Sequence, residues 1–202
     1  MNITRADKKT VVEIIALSMY ALPGIKWVIG NKPHTHARRM NALADFVFET
    51  AFERKGIYLS SDKTGVAVFF RKDSKKYYFK DIWYQFKFAL FCTGLKRALE
   101  VHRTEAYVSK QRPGGGHYLY FWVFSVHPSA RRFGAAASEL KDKILAESKL
   151  QQLPIYLETS NLQNKRVYER YGFKVYHEWF IPGRNFTLWF MKRESDASEI
   201  AG

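Results

Sequence analysis

Val126-His-Pro-Ser-Ala-Arg-Arg-Phe-Gly-Ala-Ala136 is the stretch on which the reading of this chain turns. Ahead of it, His117 to Val126 is aromatic and β-branched, a composition that predicts a central strand. Pro128 turns the chain, and from Ala130 to about Leu150 a helix is expected, with Phe133, Ala136, Leu140 and Ile144 on its apolar face. The start of such a helix presents unpaired N–H groups and positive dipole potential, which suits a phosphate or pyrophosphate. Gly134 and Ala136 project no bulk and let a ligand approach the backbone, while Arg131 and Arg132 add charge at the same mouth. Chemistry alone leaves a second reading open, a basic helix start whose alanines pack on a sheet. The stretch is neither a Gly-Lys-Ser/Thr phosphate loop nor a dinucleotide fingerprint with three spaced glycines.

Outward from there, a strand is expected from Pro154 to Thr159 and a short helix from Asn161 to Tyr171. Strands follow at Phe173 to Phe180 and Phe186 to Met191, separated by a turn at Pro182-Gly-Arg-Asn185. Strand, helix, strand, helix, strand, strand predicts an α/β arrangement, a mixed sheet with helices on its faces. Toward the N-terminus, one helix is expected from about Thr10 to Leu22, stopped by Pro23-Gly24, and another from about Arg38 to Arg54. A hairpin follows, Ile57 to Ser60 and Val66 to Phe70 around a turn at Asp62 to Gly65. Lys80 to about Val108 has an amphipathic helical pattern with Gly94 as a break, and Arg112-Pro-Gly-Gly-Gly116 is a flexible connector, too short for a domain linker. The expectation is a single domain over residues 1–202. It has a helical and hairpin part to about 112, a second part from 117 to 193, and a flexible tail from 194 to 202.

Its 202 residues, 47% hydrophobic and 16% aromatic, suit one domain with a sizeable core and exclude a disordered chain. The single cysteine, Cys92, excludes an internal disulfide framework and a multi-thiolate zinc site, and fits a reducing, cytoplasmic setting. His34 and His36 have no carboxylate or thiolate cluster beside them, so no metal is expected. Arg5, Lys8 and Lys9 ahead of the apolar Val11 to Leu22 imitate a secretory leader, but Glu13 and Ser18 interrupt the run. A soluble protein without a membrane span is expected, as a monomer or homodimer. The net charge of +14 would attract polyanions, yet the basic residues are spread along the chain. The aromatics Trp83, Tyr120 and Trp122 form no RNA-binding signature, which argues against a nucleic-acid module.

Two pieces together carry a family resemblance. Arg131-x-x-Gly134-x-Ala136, following Val126-x-Pro128, resembles the pyrophosphate loop of the GNAT superfamily of acyl-CoA N-acyltransferases. Leu157-Glu-Thr-Ser-Asn161 running on to Tyr168-Glu-Arg-Tyr-Gly172-Phe173 is similar to the strand-and-helix signature that follows it in that family. The Leu-Glu-Thr-Ser opening looks most like the bacterial branch containing puromycin acetyltransferase. The resemblance covers about Tyr118 to Arg193.

It implies a mostly antiparallel central sheet, splayed between the central strand and its neighbour, with the pantetheine arm of acetyl-CoA in the gap. Backbone groups near Phe124, Ser125 and Val126 would bond the pantetheine amides. The amides of Arg131, Arg132, Phe133, Gly134, Ala135 and Ala136 would hold the pyrophosphate. Asn161 matches the asparagine that contacts the cofactor arm, Asn164 falls where many relatives carry alanine, and Tyr168 matches the tyrosine near the thioester sulfur. Direct attack by a primary amine of a small molecule or peptide releases a thiolate, for which Tyr168 is the expected general acid. Many relatives carry a carboxylate base on the central strand, where Tyr118 to Phe124 has none. Glu158 is then the base candidate, with His117, His177-Glu178 and a water relay as alternatives. A coenzyme-A-binding protein without catalysis is the other reading this departure leaves open.

Overall fold

The computed structural model describes residues 3–30, 32–72, 95–114, 117–130, 134–181 and 183–195. Three helices come first, α1 (Lys8–Met19), α2 (Pro23–Ile29) and α3 (Pro33–Glu53). The hairpin β1 (Ile57–Leu59) and β2 (Gly65–Lys72) follows, and then α4 (Leu95–Gln111) and β3 (Tyr118–Val126). After a short 3-10 turn at Pro128–Ala130 come α5 (Ala135–Gln151), β4 (Ile155–Thr159), α6 (Leu162–Arg170), β5 (Lys174–Phe180) and β6 (Thr187–Arg193).

The strands form one six-stranded sheet in the order β1-β2-β3-β4-β6-β5, antiparallel except for the parallel pair β3 and β4. Two apolar clusters cover its faces. On one, Val11, Ile14 and Ile15 of α1 and Met40, Val47 and Phe48 of α3 pack on Ile57, Val66, Val68, Phe70 and Val123. On the other, Leu140 and Ile144 of α5 and Tyr168 of α6 pack on Phe69, Leu119, Phe121, Ile155, Leu157 and Met191. Helix α4 lies on the α1/α3 face, where Tyr107 reaches His177 and Trp179 of β5.

Pro23-Gly24, expected to end the first helix, begins the second instead. Proline occupies the first turn of α2, where its missing N–H leaves no hydrogen bond unmade and its fixed φ favours the helix. The helix after the central strand starts at Ala135, because Pro128–Ala130 forms a separate turn. The expectations for residues 80–94, including Cys92, Trp83 and the break at Gly94, lie outside the described residues. No helix among the described residues is long and apolar enough to cross a bilayer.

Candidate active site

The central opening begins where two parallel strands part. Pairing of β3 with β4 is confined to Leu119 with Ile155 and Tyr120 with Tyr156, whereas β3 runs on along β2 as far as Val126 with Gly65. A bulge in β3 sits just beyond the last shared pair: Val68 faces Val123 and Phe69 faces Phe121, so Trp122 is the extra residue. Leu119, Phe121 and Phe124 contribute to the α5/α6 face, while Tyr120, Trp122 and Val123 contribute to the other. An extra residue bends a strand and sharpens its twist, which turns β3 away from β4 at this point.

Above the end of β3 stands the N-terminus of α5. Gly134 takes a left-handed φ of 68°, which glycine adopts without the Cβ penalty, and no other part of the described residues lies within 4 Å of where a Cβ would be. No side chain among the described residues caps the helix, and its first internal bond is from Ser138 N–H to the Gly134 carbonyl at 2.9 Å. The N–H groups of Ala135, Ala136 and Ala137 therefore have no partner among the described residues. The helix is seated by close approach: a Cβ on Gly65 would meet Ala136 Cβ and Leu140 Cδ1, each at 2.9 Å. Glu139 also accepts from Ser61 N–H at 2.9 Å and from its hydroxyl at 2.7 Å, tying α5 to the β1–β2 turn. Because Gly65 pairs with Val126, these contacts hold the uncapped helix start beside the end of the central strand. Arg131, Arg132 and Phe133 lie outside the described residues.

Asn161 caps α6, its Oδ1 accepting from the Asn164 N–H at 3.0 Å. The other end of α6 explains the spacing Tyr-Glu-x-x-Gly-Phe. Phe173 N–H bonds to the Tyr168 carbonyl and Gly172 N–H to the Glu169 carbonyl, both at 3.0 Å, with Gly172 at φ 85°. That is a Schellman motif, and its usual apolar contact is the edge-on pair Tyr168–Phe173, with centroids 5.8 Å apart. Tyr168 also meets Phe121 edge-on at 6.0 Å, on the first residue of β3 past the last pair with β4. Burial pushes the Tyr168 hydroxyl well above the usual phenol range, so it keeps its proton at neutral pH. This hydroxyl makes no hydrogen bond with any described residue.

On the opposite face, Glu158 is engaged in a buried ring of hydrogen bonds. Arg112 donates from Nε to Oε1 at 2.8 Å and from Nη2 to Oε2 at 3.1 Å. Arg112 Nη2 also donates to the Tyr120 hydroxyl at 2.8 Å, which in turn donates to Glu158 Oε2 at 2.9 Å. The two charged side chains are only 6% and 8% exposed. Burial works against the Arg112 charge, but Tyr120, Glu158 and Glu105 outweigh it and hold the guanidinium firmly protonated. Burial likewise raises the Tyr120 hydroxyl, which fixes it as a donor. The connector expected at 112–116 thus begins with a buried ion-pair partner; an arginine next to Pro-Gly carries no sequence signal for that. Of the other base candidates, His117 and Glu178 are exposed, and His177 Nε2 is hydrogen-bonded to the Tyr107 hydroxyl at 3.0 Å.

No protein-family model matches the chain, and no curated protein does. Solved structures do resemble it. One is a histone acetyltransferase HPA2 and related acetyltransferase from Corynebacterium glutamicum, with TM-score 0.68 and 17% identity over 96% of this chain and 94% of that one. The C-terminal condensation domain of Ebony, in complex with beta-alanyl-dopamine, also superposes with TM-score 0.68, at 13% identity over 96% and 97%. Arylalkylamine N-acetyltransferase 2 from Aedes aegypti gives TM-score 0.61 at 13% identity over 97% and 98%. A mostly antiparallel six-stranded sheet flanked by helices, superposing on acetyltransferase structures over nearly its whole length, gives this chain the GNAT fold.

Proposed function

We propose that the protein is an acetyl-CoA-dependent N-acetyltransferase acting on a primary amine of a small molecule or peptide. The observation that carries this reading is the convergence of three features. The β3–β4 gap, the start of α5 and the buried side chain of Tyr168 belong to one stretch of the sheet. Three N–H groups at Ala135 to Ala137, without a partner among the described residues, suit a pyrophosphate, and the gap suits an extended arm, so the residues present fit the cofactor. Acetyl-CoA supplies an activated acyl group as a thioester.

The chain's own residues bind and orient. Backbone groups of Phe124, Ser125 and Val126 would hold the arm along β3, and Arg131, Arg132 and Phe133 would continue the phosphate site begun at Gly134. Asn161 and Asn164 stand at the start of α6, with the Asn161 oxygen spent on the cap and its NH2 group left to donate. Tyr168 keeps its proton at Oη and has no competing partner among the described residues, the state required of a general acid. The superposed arylalkylamine N-acetyltransferase 2, and the beta-alanyl-dopamine in complex with the Ebony domain, support an amine acceptor. The Leu157-Glu-Thr-Ser opening supports kinship with the puromycin acetyltransferase branch, and the lone Cys92 supports a cytoplasmic setting. We read the chain as one domain, active as a monomer or homodimer.

Calorimetric titration with acetyl-CoA tests the donor assignment, and saturable binding at micromolar cofactor is expected. Absence of binding would remove the assignment. An amine panel followed by thiol release then tests turnover; saturable binding with no release from any amine would leave a binding protein without catalysis.

A further inference from the structure

We propose that Arg112, Tyr120 and Glu158 form a side-chain rivet that sets the width of the β3–β4 gap. Glu158 is on this view a positioning residue for the donor arm, and the amine's proton goes elsewhere. The proposal rests on reading the gap as the donor cleft.

Its basis is where the rivet sits. The backbone ladder between the two strands stops at Tyr120 with Tyr156. Glu158 is the next residue of β4 on that face, and the Tyr120 hydroxyl reaches across to it at 2.9 Å. A side-chain bond therefore takes over from the ladder at the point of divergence. Arg112, at the foot of α4, binds both partners at once and completes a closed ring of donors and acceptors. A carboxylate offers about four acceptor positions, and three are filled by Arg112 Nε, Arg112 Nη2 and Tyr120. With its side chain 8% exposed, Glu158 also offers an arriving amine little surface to reach. The planar fork of arginine is what makes the bracket stiff, since two parallel N–H groups fix the carboxylate plane.

The experiment compares Glu158→Gln, Arg112→Lys and Tyr120→Phe with the unmodified protein by acetyl-CoA calorimetry, the pH profile of kcat, and thermal unfolding of the free protein. A rivet predicts one shared signature: each variant weakens acetyl-CoA binding, by about fivefold for the single hydroxyl lost in Tyr120→Phe. The acidic limb of the kcat profile keeps its position in all three. A general base predicts something else: Glu158→Gln alone lowers kcat on the order of 100-fold or more and erases the acidic limb, with cofactor affinity unchanged. That result would overturn the proposal. Tyr120→Phe retains the ion pair and the aromatic side chain and removes only the hydroxyl, so it carries the test if the charge variants do not fold; unchanged acetyl-CoA affinity in this variant overturns the rivet. Failure of the unmodified protein to bind acetyl-CoA would overturn the donor-cleft reading itself, and is thereby distinguishable.

Discussion

Tyr168 and Arg112 are two buried polar residues with opposite histories in the sequence. Tyr168 is legible there because its place in the Schellman motif forces a fixed spacing to Gly172 and Phe173. Replacing it with phenylalanine retains both ring contacts and removes only the hydroxyl. We expect kcat to fall on the order of 100-fold, with the thermal midpoint and acetyl-CoA affinity preserved. Single-turnover kinetics at saturating cofactor would show it, and unchanged turnover would exclude the tyrosine from proton transfer. Arg112 is illegible, since its partner Glu158 lies 46 residues away and no periodicity links them. Arg112→Ala leaves a buried carboxylate with only the Tyr120 hydroxyl, and a loss of about 3–5 kcal/mol is expected from urea unfolding. Arg112→Met combined with Glu158→Leu should cost less than that single change, because no uncompensated charge remains.

Among the elements, α5 shows how a helix start is held in place. Of the apolar face expected at Phe133, Ala136, Leu140 and Ile144, the last three are buried in the structure, and Phe133 lies outside the described residues. What the sequence concealed is the floor it rests on, because Gly65 looks like an ordinary hairpin glycine. Gly65→Ala would press a Cβ to 2.9 Å from both Ala136 Cβ and Leu140 Cδ1. The helix must then lift, at a cost of about 1–3 kcal/mol. The expected outcome is a lower urea midpoint together with weaker acetyl-CoA binding; destabilisation with unaltered affinity would mean that the seat does not serve the anion site. The bulge at Trp122 was hidden for a different reason. Alternation of apolar and polar residues marks strand faces, and in Tyr118 to Phe124 every residue is apolar or aromatic, so the sequence holds no phase to break.

At the scale of the molecule, buried phenols and clasped carboxylates set a pH window. Burial raises the hydroxyls of Tyr120, Tyr168 and Tyr176 above the unfolded value of about 10. Above that pH the unfolded chain releases protons that the folded one retains, so stability falls as pH rises. On the acid side, burial works upward on Glu49, but Lys8 and Arg5 prevail and hold its carboxyl below the usual range. Hydrogen bonds from Ser60 and Thr64 lower Asp62 likewise. These contributions are present above about pH 4 and are lost as the carboxylates protonate below it. Thermal melts across pH should show a plateau with two falling shoulders, and an alkaline shoulder absent to pH 11 or so would show that the phenols are more solvated than their packing implies. The net charge of +14 was plain in the sequence, as was the α/β order of elements; the placement of α4 over β5 was not, because it depends on contacts such as Tyr107 with His177 that lie far apart along the chain.

The extra residue in β3 makes insertions and deletions more informative than substitutions at this point of the strand. Trp122 and Val123 contribute to the same face, so deleting Trp122 restores strict alternation and leaves every remaining side chain on its present side. The shortened strand would still satisfy both apolar clusters, and its ladder could zip past Tyr120 along β4. A one-codon deletion should therefore yield a folded protein with a closed sheet and no room for an extended arm, whereas swapping Trp122 for another large residue should leave the opening intact. In aligning distant relatives, a gap at this position is then a change of architecture, to be weighed above any number of exchanges around it.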